Sequence, residues 1–215
     1  MLLHAVITPP PEVRAAVSLV LRSVDGGSQT IAPEPPPPRF LRRRVREPVP
    51  PPPPAVGPEL DFVPVAMMCL PIAGFGNVTS DDASKLADCL RGAAAAWACP
   101  TVCLAGGGAL EFAEDRSIWA RLDGDIDGLL AVASGVVQSV ASRGFFVDRR
   151  KFRPWLSVAT ITDTTTPAHL ERVVAALDAF RGEPWTVEWV SVTKPSFDHG
   201  PDGPPEVYRI PLSTP

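Results

Sequence analysis

The chain reads as an α+β protein with antiparallel strand pairing, and two observations lead there. Four stretches carry apolar residues at helical spacing, and about eight short stretches read as strands. Several of those strands follow one another with no helix between them, which favours antiparallel pairing over a doubly wound parallel sheet. The second observation is an internal echo. Cys69-Leu70-Pro71-Ile72-Ala73 and Trp155-Leu156-Ser157-Val158-Ala159 share the order variable, Leu, small, branched aliphatic, Ala. Eleven residues past Cys69 stands Ser80, and eleven past Trp155 stands Thr166, each a good N-cap ahead of a helical stretch. A strand and a capped helix repeated at one spacing predict a duplicated domain. Positions 69 and 155 are then equivalent in its two halves.

In chain order, Leu2 to Ile7 is a short apolar run that suits a buried strand. Pro9-Pro10-Pro11-Glu12 opens a helix with proline and an acid in its first turn. Val13, Val17, Val20, Leu21 and Val24 share one face of it, and Asp25-Gly26-Gly27 ends it. Residues 28–58 are of low complexity. Pro35 to Pro38 and Pro50 to Pro54 flank an arginine cluster at 39, 42, 43, 44 and 46. Proline at that density enters neither helix nor sheet interior, so a disordered, extended insertion is expected within one domain spanning 1–215.

Leu60 to Ala73 reads as a strand closed by Gly74-Phe75-Gly76, and Leu86, Leu90, Ala93 and Trp97 mark the second helix. Thr101 to Leu104, Ala109 to Phe112 and Ser117 to Leu122 read as three strands, separated by Gly106-Gly107-Gly108 and by residues 113–116. Ile126, Leu129, Leu130, Ala133, Val137 and Val140 make the third helix. The fourth opens at Thr166-Pro167, with Leu170, Val173, Val174, Leu177 and Phe180 inward. Thr186 to Thr193 reads as a strand, and Val207 to Ile210 as an edge strand between prolines.

Several site readings fail on their own terms. The glycine triplet has no G-x-x-x-x-G-K-[ST] context and no helix after it. Asp123, Asp125 and Asp127 lack the acid a calcium loop needs at its twelfth place, where Ser134 stands, and serve better as acids at a helix start. Cys69, Cys89, Cys99 and Cys103 have no paired spacing for zinc and read as free thiols. No apolar run reaches the length of a membrane span, and a cytoplasmic protein is expected. With 24 acidic and 20 basic residues, five of the basic ones in the insertion, the remainder is a poor grip for long nucleic acid. It can still hold one phosphate in a local pocket.

The echoing strands carry more than a pattern. Phe62-Val63-Pro64 through Leu70-Pro71-Ile72-Ala73-Gly74-Phe75-Gly76-Asn77-Val78 and Asp148-Arg149-Arg150-Lys151-Phe152-Arg153-Pro154-Trp155-Leu156-Ser157-Val158-Ala159 resemble the two motif regions of the 2'-5' RNA ligase / RNA 2',3'-cyclic phosphodiesterase family, within the two-histidine phosphoesterase superfamily. The resemblance extends over most of the chain outside the insertion. It implies two pseudo-symmetric lobes, each an antiparallel sheet with two helices, facing a central cleft. It also implies chemistry with no metal and no ATP, hence no cofactor, in which each half contributes a His-x-Thr or His-x-Ser signature. One imidazole takes a proton from water while the other protonates the leaving oxygen, and the hydroxyl two residues on holds a phosphate oxygen.

In this chain the signatures read Cys69-Leu70-Pro71 and Trp155-Leu156-Ser157. Both histidines are replaced, and of the two hydroxyls only Ser157 remains. Loss of one acid–base group typically costs about 10²–10⁴ in rate. The resemblance therefore points to a non-catalytic binding or interaction protein, with Arg150, Arg153, Trp155 and Ser157 as candidate ligand contacts and a nucleotide or RNA end as candidate ligand. Two alternatives stay open: an altered phosphodiesterase using Ser157, and a protein-docking role for residues 33–58. Among the histidines, His4 reaches the cleft only if its strand turns it inward. His169 is expected on the outer side of its helix, and His199 in a Gly/Pro-rich loop.

Overall fold

In the computed structural model, which describes residues 1–25, 59–112, 115–195 and 203–213, the strands sort into two antiparallel sheets. The order along the chain is β1 (Leu2–Ile7), α1 (Pro11–Asp25), β2 (Leu60–Phe62), β3 (Leu70–Asn77) and α2 (Ser80–Ala94). Then come β4 (Thr101–Phe112), β5 (Asp115–Gly124), α3 (Ile126–Ala141), β6 (Trp155–Ile161) and α4 (Pro167–Ala179). β7 (Trp185–Thr186), β8 (Trp189–Thr193) and β9 (Glu206–Pro211) complete the fold. One sheet runs β3-β1-β8-β9 and the other β2-β6-β5-β4-β7. Helices α2 and α3 pack together against the first, while α1 and α4 pack together with α4 lying on β4 of the second. The expected two lobes, each a sheet with two helices, are the lobes found. The segment 28–58 and His199 lie outside the described residues.

Strand parity builds the core. On β1 Leu3, Ala5 and Ile7 are buried, as are Leu70 and Ile72 on β3 and Leu156 and Val158 on β6. The intervening residues therefore face the other way, toward the space between the sheets. The helices close the outer faces with stripes at helical spacing: Val13, Val17 and Leu21 on α1, Leu86 and Leu90 on α2, Leu129, Val136 and Val140 on α3, and Val173 and Leu177 on α4.

Two segments that read as single strands are each divided between the sheets. Leu60 to Ala73 becomes β2 in the second sheet and β3 in the first, joined by a 3-10 turn over Val65–Met67. Pro64 explains the break. It has no N–H to continue the ladder, and the turn behind it redirects the chain. Thr186 to Thr193 likewise becomes β7 and β8, and the crossover between them is held on both sides. Val187 N donates to Pro100 O at 2.9 Å, and Leu212 N to Glu188 O at 2.8 Å.

The glycine triplet does the opposite. In place of a turn between two strands it is a bulge inside the continuous β4, where the register with β5 slips between Leu104 and Gly107. Gly106 takes φ +90°, which accommodates the extra residue. Gly107 lies directly under Leu177 of α4, and its N–H donates to Asp178 Oδ1 at 2.9 Å. Helix starts fall close to expectation. Thr166 caps α4 by accepting from His169 N, Asp125 caps α3 by accepting from Gly128 N, and Thr79, one residue before Ser80, caps α2.

Candidate functional site

Trp155 and Ser157 alternate with Leu156 and Val158, so packing of the aliphatic pair into the core forces the other two onto the inner face of the second sheet. β5 adds a neighbour by the same rule. Ile118, Ala120 and Leu122 are buried, which turns Trp119 inward as the register partner of Ser157. The Trp119 and Trp155 rings lie 5.0 Å apart between centroids at 36°, a tilted aromatic platform. From the opposite sheet Pro71 faces them, since Leu70 and Ile72 point into the core.

The loop between α3 and β6 closes the site with charge. Asp148 N donates to Gly74 O at 2.9 Å, tying the loop to β3 at one end, and Trp155 begins β6 at the other. Between these anchors Arg149, Arg150, Lys151 and Arg153 line the space beside the tryptophans. Arg153 holds its guanidinium 5.6 Å over the Trp155 ring, and Arg150 Nε stands 3.7 Å from Asp148 Oδ2. The resulting cavity of about 590 Å³ is lined by Pro71, Trp119, Arg149, Arg150, Lys151, Arg153, Trp155 and Ser157. Trp155 walls this cavity and leaves it open.

Four of the candidate residues, Arg150, Arg153, Trp155 and Ser157, thus share one cavity with Pro71. Cys69 does not join them. It lines a neighbouring cavity with Arg14, and burial pushes its thiol up to about 11 despite the pull of the Arg14 guanidinium. At neutral pH it is a protonated thiol, a poor nucleophile and no proton shuttle. His4 stands on β1 opposite Gly74, with Arg150 and Asp148 as charged neighbours. Burial first, and Arg150 second, lower its pKa, while Asp148 works the other way.

His169 corrects the expectation for α4. It is completely buried, and its Nδ1 lies 2.8 Å from Glu59 Oε2. Its place in the first turn, where Glu59 and the threonines at 162 and 165 fold over the helix start, turns it inward. Trp119 is the contact that sequence reasoning passed over. The signal was available as an aromatic residue on the parity opposite to Ile118, Ala120 and Leu122. All four cysteines are free thiols, and among the described residues no group of His, Cys, Asp and Glu could hold a metal ion. Among the same residues no helix is long and apolar enough to cross a membrane.

Two helix-backed antiparallel sheets facing each other across a cleft are the fold of the LigT-like phosphoesterases. TT0787 of Thermus thermophilus superposes with a TM-score of 0.63 at 16% identity, covering 99% of this chain and 98% of that one. Escherichia coli LigT complexed with 3'-AMP gives 0.63 at 17%, covering 98% and 97%. A further solved phosphoesterase gives 0.61 at 15%, covering 99% and 98%. At these identities the likeness is one of fold. No family model matches the sequence, and no curated protein matches it.

Proposed function

We propose that this chain binds a nucleotide or RNA end in the Trp119–Trp155 cavity and does not hydrolyse it, having given up its fold's two-histidine chemistry. The observation that carries the reading is the content of that cavity. It has a stacking platform, four cations and one hydroxyl, with a proline and a tryptophan where a phosphodiesterase of this fold would need reactive groups. An aromatic face beside guanidinium groups suits a flat base carrying a phosphate. The four cations are exposed to solvent but gathered on one loop beside the tryptophans, in a protein whose net charge is −4. That Escherichia coli LigT has been solved with 3'-AMP, NADP+ and ATP supports a nucleotide as the class of ligand.

The test is calorimetric titration of the full chain with 3'-AMP. Trp155→Ala should weaken binding about fivefold or more, on the scale of about 1–3 kcal/mol for a stacked base. Arg153→Gln should weaken it and flatten its salt dependence. Binding that is indifferent to both substitutions would refute the assignment. A readily measured turnover of 2',3'-cyclic nucleotides would favour the altered phosphodiesterase instead.

A further inference from the structure

Beside the tryptophan cavity lies another of about 360 Å³, placed where the chain crosses between the sheets. Ala66 and Met67 of the first crossover and Trp185 to Trp189 of the second contribute walls, as does Arg14 of α1. Val6 lines this cavity and is the register partner of Pro71, which lines the other, so the two adjoin across β1 and β3.

The charges here are unevenly engaged. Glu206 is satisfied: Ser191 Oγ donates to its Oε2 at 2.5 Å and Arg209 Nε to its Oε1 at 3.0 Å. Arg209 also lies 4.5 Å over the Trp189 ring. Arg14 is different. Its Nη1 donates to Val65 O at 2.7 Å, and its Nε is buried with no acceptor among the described residues. Its acidic neighbour Glu12 is exposed, its other neighbour Cys69 is a neutral thiol, and Glu188 across the cavity is exposed as well. A half-buried guanidinium without an engaged carboxylate, set among aromatic walls, favours an oxyanion from solution.

We propose that this cavity is a second ligand pocket, taking an organic oxyanion, carboxylate or phosphate, on Arg14 with its apolar body against Trp185 and Trp189. Such a group has two sources: a free small acid, or a second phosphate-bearing unit of a nucleotide seated in the first cavity. The test is calorimetry on the full chain with indole-3-acetate, AMP and a 5'-phosphorylated diadenylate. Arg14→Gln, which removes the guanidinium charge and the Nη1 donor to Val65 O but keeps an amide, should weaken indole-3-acetate or the diadenylate at least tenfold and leave AMP within twofold. Loss confined to indole-3-acetate assigns the free acid, and loss confined to the diadenylate assigns the second nucleotide unit. Trp189→Leu should repeat the pattern, which guards against a folding defect peculiar to Arg14→Gln. Unchanged affinity for both probes in both variants, or no binding of either probe by the native chain, overturns the pocket. If the native chain ignores AMP but takes indole-3-acetate on Arg14, the nucleotide reading fails and this pocket stands.

Discussion

The sequence echo pairs Cys69 with Trp155, but the fold sets them apart: Trp155 walls the cavity between the sheets, and Cys69 lines its neighbour with Arg14. Burial holds the Cys69 thiol protonated up to about 11, above its ordinary value of 9.0. The folded chain then keeps a proton between about pH 9 and 11 that the unfolded chain has released. Stability from this group is complete below pH 9 and is lost as pH rises through that window. Urea denaturation across that range should show the decline, and Cys69→Ala should flatten it. His169 offers a separate check, because truncation removes a fully buried imidazole together with its contact to the Glu59 carboxylate. His169→Ala should cost about 1–3 kcal/mol by the same denaturation measurement. Neither behaviour was legible from residue type alone. Helical spacing gives His169 an angle on α4, but only the return of Glu59 against the helix start makes that angle an interior one. Trp155 and Ser157 were legible, because Leu156 and Val158 fix the parity of their strand.

At the level of elements, the sequence carried the four helices, the cap at Thr166 and the antiparallel character of the sheets, while the cap of α2 is Thr79 and not Ser80. It did not carry the exchange of strands between sheets. Leu60 to Ala73 has the apolar content of one strand, and the register of β2 against β6 is a long-range fact that composition does not encode. Pro64 was the local hint. The glycine triplet misled in the other direction, because a turn and a bulge both use glycine and only the facing strand distinguishes them. Two predictions belong here. Gly107→Ala would drive its new methyl into Leu177 Cβ and should destabilise by about 1–3 kcal/mol, the usual cost of overpacking. Thr166→Ala removes the cap bond to His169 N and should cost about 1 kcal/mol. Thermal or urea unfolding checks both.

For the whole molecule, the proposed function turns on what the two sheets bring face to face. From the second sheet come Trp119, Trp155 and Ser157, from the first comes Pro71, and the loop that bridges them supplies Arg149, Arg150, Lys151 and Arg153. On the proposed reading this cavity holds a base and a phosphate, and among the described residues its lining offers no imidazole, carboxyl or thiol to move a proton. The most direct measurement is to incubate the full chain with 2',3'-cyclic AMP, follow binding by calorimetry and analyse the nucleotide afterwards. The account predicts a ligand that is bound and recovered unchanged. Conversion to a linear monophosphate, abolished by Ser157→Ala and untouched by substitutions on the outer surface, would contradict it.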